Sequence, residues 1–318
     1  MNKRLLGRTG IKVSEIAFGG VEIGMPYGIG IKNKTDMLSE TDAVSLLRTA
    51  LDNGINLFDT ARAYGNSEAI MGRAFHGMRE RVVICTKFRP SRDDKGNLPG
   101  AEQLKKIMDT SLSESLKALQ TDYIDVYILH LTDNFFLRNE TVTDWLINLK
   151  KKGIVRAIGV STYKVEETRS AIESGIWDVI QLPFNLMDQS HGALFPLAEQ
   201  KDVGIVVRSV LFKGILSERG RNLHPELKDV QSHIKSYEEM LNESAPDLPT
   251  LATKFALSFR QVSSVLVGID RKEYLQKSLA AADGRYFDEK TLSRLKELRY
   301  PEPEFLDLVK WERMGWLK

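Results

Sequence analysis

Short apolar runs that alternate with helical patterns restrict the fold of this chain more than any other feature. Six of these runs are predominantly apolar rather than alternating, which indicates strands buried on both faces. Strands separated by helices pair in parallel, and two further runs near the N-terminus extend the series. The eight predicted strands are 16–18, 56–58, 82–86, 124–129, 157–160, 179–182, 204–207 and 265–267.

Amphipathic helical patterns fill the intervals between these runs. Residues 104–119 carry apolar or small side chains at spacings of three and four, which places them along one side of a helix. Residues 41–51 and 142–149 show the same spacing. A glycine that can end the preceding helix in the left-handed conformation stands before four of the strands, at Gly54, Gly153, Gly175 and Gly204.

Eight β/α units of roughly 40 residues fill the 318-residue chain and predict an α/β fold, a closed (β/α)₈ TIM barrel. We expect residues 1–318 to form one domain. The segment RLLGRTGIKVS at 4–14 predicts a short N-terminal β-hairpin that plugs the bottom of the barrel, and the chain ends in a helical tail. A doubly wound sheet is the competing fold, but GGVEIGMPYGIG at 19–30 lacks the usual G-x-G-x-x-G spacing.

Composition narrows the classes of partner. The 45 basic and 43 acidic residues give a net charge of +2 without a basic block, which argues against nucleic acid. No run of 18 apolar residues occurs, so we expect no membrane span. The single cysteine, Cys85, excludes an internal disulfide and favours a cytoplasmic location. We expect a small-molecule substrate, no metal, and a monomer or weak homo-oligomer.

Ionisable side chains end three consecutive predicted strands. Asp59 follows INLF, Lys87 follows VVICT, and His130 follows DVYIL. In a TIM barrel the C-terminal strand ends share one face, and adjacent strands lie about 4.8 Å apart. Asp59 and Lys87 are therefore expected to pair, with His130 beside them. Tyr64, in the loop after Asp59, can turn its hydroxyl over the same face.

This constellation suits a proton donor. A phenol titrates near pH 10, and the ammonium of Lys87 is expected to lower the pKa of Tyr64 so that it can act as a general acid. Reduction of a carbonyl by hydride requires such a donor. Each residue also has a purely structural interpretation, as an ion pair or as packing, but four such residues at consecutive strand ends favour a shared function.

Several long motifs, in order, resemble the aldo-keto reductase superfamily over nearly the whole chain. They are LGRTGIKVSEIAFGG, GINLFDTARAYGNSE, VVICTK, SLKALQTDYIDVYILH and KKGIVRAIGVST. The resemblance implies that Asp59, Tyr64, Lys87 and His130 are the catalytic tetrad. It also implies a nicotinamide dinucleotide that binds without a Rossmann domain.

The same resemblance assigns residues to the cofactor. Ser161 and Gln181 match positions that hold the nicotinamide carboxamide, and Asn185 follows in the same motif. The segment RSVLFKGIL at 208–216 is similar to the one along the pyrophosphate, with Val210 in place of the usual proline. The full set of expected cofactor residues is Gly20, Asp59, Ser161, Thr162, Gln181, Arg208, Ser209, Leu211, Gly214, Gly268 and Arg271.

The cofactor type is less clearly indicated. Family members that prefer NADP carry basic or small polar residues at positions filled here by Gly268, Ile269 and Tyr274. Arg271 and Lys272 still offer positive charge to a 2′-phosphate. We therefore expect NADP, with NAD as the alternative.

The substrate is indicated only by class: an aldehyde, a ketone or a sugar. Aromatic residues in loops near the strand ends predict a substrate pocket at Tyr27, Phe135 and Phe136. Residues 217–247 are expected to cover the cofactor or to be partly disordered, and their histidines to be solvated. A second function remains open, that of a non-catalytic nucleotide-binding regulatory subunit of the same fold.

Overall fold

The computed structural model describes residues 1–30, 33–89, 92, 95–130 and 133–317. It confirms the predicted fold, because eight parallel strands close into a barrel in the order β10-β3-β4-β5-β6-β7-β8-β9. These strands are β3 (Ile16–Gly19), β4 (Leu57–Asp59), β5 (Val83–Phe88), β6 (Ile124–Leu129), β7 (Val155–Ser161), β8 (Val179–Pro183), β9 (Gly204–Arg208) and β10 (Val262–Gly268).

Helices surround the barrel where the periodicity predicts them. The apolar pattern does not predict the side-chain caps at the helix starts. Ser39 Oγ accepts a hydrogen bond from the N–H of Asp42, and Asn139 Oδ1 accepts one from the N–H of Val142. The helices are α1 (Val21–Gly24), α2 (Glu40–Asp52), α3 (Ser67–Ala74), α4 (Ala101–Leu119), α5 (Asn134–Leu137), α6 (Glu140–Lys151), α7 (Val165–Glu173), α8 (Phe195–Gln200), α9 (Lys228–Glu238), α10 (Leu248–Leu257), α11 (Lys272–Ala281), α12 (Glu289–Glu297) and α13 (Leu308–Arg313).

The N-terminal hairpin closes one end of the barrel, as predicted. Strands β1 (Lys3–Leu5) and β2 (Lys12–Ser14) pair antiparallel. Leu6, Ile11 and Val13 are buried against apolar side chains from the barrel interior. The opposite end, where the strands finish, therefore stays open for a site.

The C-terminal tail packs against the segment that follows β9. Trp311 is fully buried, and its ring lies edge-on to Phe212 with the centroids 5.7 Å apart. Lys213 Nζ forms an ion pair of 2.8 Å with Glu312. The C-terminal tail thus supports a loop of the barrel mouth.

Residues 217–247 are more ordered than the sequence suggested. They include helix α9, which buries Val230, Ile234 and Tyr237. His233, expected to be solvated, contacts the carbonyl oxygen of Leu298 at 2.8 Å. The ring is therefore only partly exposed, because it also lies edge-on to the rings of Tyr237 and Tyr300.

Candidate active site

A cavity of about 390 Å³ lies at the C-terminal ends of the barrel strands. Its wall combines strand ends with the loops that follow β3, β4, β9 and β10, so residues distant in sequence face a common space. The predicted site residues that line it are Gly20, Tyr27, Asp59, Tyr64, His130, Ser161, Gln181, Arg208, Ser209, Leu211, Gly214 and Gly268.

A buried polar network forms the floor of this cavity. Asp59 ends β4 and lies beside Cys85 in the register of β5, so Lys87, two residues further on, faces the same way. Lys87 Nζ contacts Asp59 Oδ2 at 2.5 Å and donates to the Thr60 carbonyl oxygen at 2.8 Å. Gln181 Nε2 donates to the other carboxylate oxygen of Asp59 at 2.8 Å. The carboxylate is therefore satisfied on both sides although the residue is only 2% exposed.

Tyr64 lies directly above this network. Lys87 Nζ is 4.8 Å from the centroid of the Tyr64 ring. Burial is the largest single influence and lowers the pKa of Lys87, but the charge and hydrogen bond of Asp59, together with Tyr64 and Cys85, outweigh it and the pKa is raised. Lys87 thus stays a cation beneath the phenol.

The expected lowering of the Tyr64 pKa is not seen in this structure. Burial raises the pKa of Tyr64, and the charge of Lys87 opposes that rise without cancelling it. The neighbouring charge is visible in the sequence, whereas the loss of water around the hydroxyl depends on the folded structure. The phenol consequently stays protonated at neutral pH, as a proton donor must.

His130 completes the group on the next strand. Its backbone N–H donates to the Phe88 carbonyl oxygen at 2.8 Å, and its ring lies perpendicular to that of Tyr64 with centroids 5.7 Å apart. Burial and the nearby charge of Lys87 lower the pKa of His130 to about 2. The imidazole is therefore neutral at physiological pH and can donate one hydrogen bond to a ligand.

The residues expected at the nicotinamide divide into two sets. Ser161 and Gln181 line the cavity. Thr162 does not line it, because its hydroxyl points to Thr168 Oγ1 at 2.6 Å. Asn185 does not line it either: its side-chain oxygen accepts from the backbone amides of Met187 and Asp188, and its side-chain nitrogen donates to the Ser209 carbonyl oxygen.

The segment after β9 has a strained backbone. Ser209, Phe212 and Lys213 have φ values of 58°, 47° and 58°, a region that side-chain-bearing residues rarely occupy. Such strain concentrates at ligand sites, where the surrounding structure holds it. Arg208 begins the segment, donates to the Thr162 carbonyl oxygen at 2.7 Å, and lies 4.1 Å from the ring centroid of Tyr163.

Charged residues at the far end of the cavity were not identified from the sequence. Arg219 pairs with Asp270 at 3.2 Å, and Tyr274 Oη donates to Glu218 at 2.9 Å. These contacts join the segment after β9 to the start of α11. Arg271 does not line the cavity, and its guanidinium lies 3.6 Å from Asp270 on the outer side. No local motif marks the Arg219–Asp270 and Glu218–Tyr274 contacts, since each joins residues more than 50 positions apart.

Two of the expected substrate-pocket residues lie elsewhere. Phe136 is 2% exposed and packed into the core, and Phe135 is 55% exposed. Neither lines the cavity; both rings lie beside the guanidinium of Arg92, at 4.7 and 5.0 Å. Tyr27 does line it, with Lys213 Nζ 5.1 Å from its ring centroid.

Comparison with known proteins agrees with this fold. The Aldo/keto reductase family profile matches residues 15–299. L-galactose dehydrogenase of Arabidopsis thaliana is 30% identical over 94% of each chain, and the uncharacterized oxidoreductase YqkF of Bacillus subtilis is 29% identical over 93% of this chain and 96% of its own. The holo form of an aldo-keto reductase from Bacillus halodurans superposes with a TM-score of 0.77 at 25% identity, covering 94% of this chain and 96% of that chain.

The chain therefore belongs to the aldo/keto reductase family, whose members are typically NAD(P)H-dependent oxidoreductases. The cavity fits a nicotinamide dinucleotide in its chemistry. Polar strand ends lie beside Asp59, Tyr64 and His130, and four cationic side chains line the rest of the cavity: Arg208, Lys213, Arg219 and Lys277. Among the described residues, no helix is long and apolar enough to cross a membrane.

Proposed function

We propose that the protein is an NAD(P)-dependent oxidoreductase that transfers a hydride between nicotinamide and the carbonyl or alcohol carbon of an aldehyde, ketone or sugar. Tyr64 acts as general acid in reduction and as general base in oxidation. The observation that carries this proposal is the buried Lys87–Asp59 pair directly beneath the Tyr64 ring. An ion pair with a structural role alone would not need a phenol and a neutral imidazole above it.

Each tetrad residue has a distinct task in this proposal. When bound, the reduced dinucleotide supplies the hydride, and the carbonyl oxygen becomes an alkoxide that requires a proton. Tyr64 gives up its proton, and the cation of Lys87 stabilises the phenolate that remains. Asp59 keeps Lys87 charged and fixed. His130, neutral in the folded protein, donates a hydrogen bond that orients the substrate oxygen.

The cofactor lies along the cavity in this proposal. Ser161 and Gln181 bind the carboxamide, and the segment from Ser209 to Gly214 follows the pyrophosphate. NADP remains the proposed cofactor and NAD the alternative, since Arg219 and Lys277 offer charge for a 2′-phosphate but both already have acidic partners. Only titration with both dinucleotides distinguishes the two.

A sugar is the favoured substrate class. The similarity to a protein named L-galactose dehydrogenase supports this substrate class. Tyr27 is the aromatic residue proposed to contact the substrate.

The test is a substrate panel of aldoses, small aldehydes and quinones, assayed in both directions with NADH, NADPH and their oxidised forms. Turnover is followed by the absorbance of the reduced nicotinamide. We expect turnover with at least one carbonyl or sugar. Tight dinucleotide binding without turnover on any member would favour the regulatory alternative, and absence of dinucleotide binding would refute both.

A further inference from the structure

Glu22 is a cavity residue to which the catalytic proposal gives no role. It lies in the short helix α1, just after β3, and its side chain faces the cavity beside the C-terminal end of β10. A Cβ atom at Gly268 would lie 1.9 Å from Glu22 Oε1, so this glycine leaves space for the carboxyl group. Glu22 Oε2 is shielded from solvent and has no hydrogen-bond partner among the described residues.

A carboxyl oxygen that is shielded from water and has no hydrogen-bond partner lowers the stability of the folded protein. The cost is justified where a ligand later supplies the missing contact. Since the unpartnered oxygen belongs to a group on the cavity wall, the ligand of this cavity is the natural candidate.

The charges around Glu22 make its ionised form unfavourable. Asp270, on the loop after β10, and Asp59, at the end of β4, both add negative charge. The cation Arg219, on the segment after β9, opposes them but is already paired with Asp270. Tyr27, on the following loop, is also close enough for its own ionisation to be disfavoured by Glu22.

Burial is the largest influence on the titration of this group. It raises the pKa of Glu22 to about 8, with further increases from Asp270 and Asp59 and decreases from its own backbone N–H and Arg219. At neutral pH the group is therefore mostly a carboxylic acid, which carries one O–H donor. Above that pKa it becomes an anion with acceptors only.

We propose that Glu22 is a proton-linked cofactor contact, whose neutral carboxyl donates a hydrogen bond to the anionic dinucleotide and whose ionised form repels it. This inference rests on the proposed function, because it requires a dinucleotide in this cavity. The bond donor is the carboxyl O–H, and the acceptor is an oxygen of the phosphates or ribose. When Glu22 is ionised, binding takes up one proton from solvent.

The test is the pH dependence of dinucleotide affinity, measured by protein fluorescence with NADH and NADPH between about pH 7 and 9.5. Every phosphate of both ligands is fully ionised in this range, since a phosphate monoester has its second pKa near 6. For the unaltered protein we expect Kd to rise above about pH 8, approaching tenfold per pH unit. Glu22→Gln should retain affinity at pH 7 within about fivefold and lose the pH dependence, because an amide keeps a donor but does not titrate.

Glu273→Gln is the matched control, because Glu273 is exposed in the first turn of α11 and does not line the cavity. It removes the same charge outside the cavity and should retain the wild-type pH dependence. Should Glu22→Gln fold poorly, calorimetry of the unaltered protein in buffers of different ionisation enthalpy measures proton uptake directly.

A pH-independent Kd for the unaltered protein, or equal slopes in Glu22→Gln and the unaltered protein, would overturn the inference while leaving the proposed function intact. Lack of binding by either dinucleotide at pH 7 would instead refute the proposed function. Calorimetry that detects no proton uptake at about pH 8.5 would also overturn the role of Glu22.

Discussion

The ammonium of Lys87 lies 4.8 Å from the ring centroid of Tyr64, with only 1% of the lysine exposed. A cation in this position attracts the charge of a phenolate and so stabilises it more than a neutral phenol. The attraction is strong because water is not available to screen the two charges. The same burial raises the pKa of the resting phenol. Tyr64 is thus protonated before the reaction, and Lys87 lowers the cost of removing that proton during it.

Replacing Tyr64 by Phe removes the proton donor and leaves the ring. We expect dinucleotide affinity to stay within a fewfold and carbonyl turnover to fall about 10²–10⁴-fold, the usual contribution of general acid catalysis. Steady-state kinetics and fluorescence titration measure the two effects. Tyr123→Phe, remote from the cavity, is the control and should behave normally; near-normal turnover in Tyr64→Phe would exclude the assigned role.

Replacing Lys87 by Met should separate stability from activity. The variant removes the cationic partner of the buried Asp59 carboxylate and leaves the neutral donor Gln181. Loss of one partner of a buried ion pair costs about 3–5 kcal/mol. The double variant Asp59→Asn with Lys87→Met removes the orphaned charge, so we expect it to recover much of the stability but none of the turnover.

Urea unfolding and kinetic assays of the three proteins check this expectation. A double variant no more stable than Lys87→Met would show that the charge of Asp59 is not what destabilises the single variant. Full activity in either would exclude the pair from the reaction.

A buried imidazole should make the protein sensitive to acid. His191 is only 1% exposed, and burial lowers its pKa to about 4. The unfolded chain has a pKa near 6.5 and binds a proton that the folded chain excludes. The free energy of unfolding should therefore fall by about 1.4 kcal/mol for each pH unit from 6.5 down to 4.

His191→Gln removes this titration, so its loss of stability between pH 7 and 5 should be smaller than that of the unaltered protein. Denaturant unfolding at both pH values measures the difference. His76→Gln, at an exposed position, serves as the control and should retain the full pH effect. Identical pH slopes in all three proteins would exclude His191 as a source of acid sensitivity.

The Arg219–Asp270 pair should slow release of the dinucleotide, because it joins the segment after β9 to the loop before α11 across the cavity. Partly exposed ion pairs contribute about 0.2–1 kcal/mol. We therefore expect Arg219→Ala to increase the dissociation rate about two- to fivefold in stopped-flow fluorescence. Arg260→Ala removes an exposed pair with Glu199 outside the cavity and should change nothing; equal rates in both variants would contradict the role of Arg219.

Much of the fold could be predicted from the spacing of apolar residues along the sequence. The apolar run at 124–129 coincides with β6, and the predicted helix at 104–119 lies within α4. The positions of Asp59, Lys87 and His130 at one cavity also followed, because parallel strands in a barrel bring their C-terminal ends to one face. These features depend on local pattern and on one topological rule.

Side-chain direction could not be read in the same way. Thr162 and Phe136 occupy suitable positions in the sequence, yet neither lines the cavity. The Thr162 hydroxyl is hydrogen-bonded to Thr168, and the Phe136 ring is packed into the core. Arg219 and Asp270 face each other only because two loops after different strands converge.

The sequence by itself determined the barrel, its hairpin and the set of chemical groups at the strand ends, because spacing along the chain fixes which residues share a face. Only the tertiary structure decided which groups lose water. That loss keeps Tyr64 protonated, His130 neutral and Glu22 largely uncharged, because desolvation depends on every element packed around a group rather than on its neighbours in sequence.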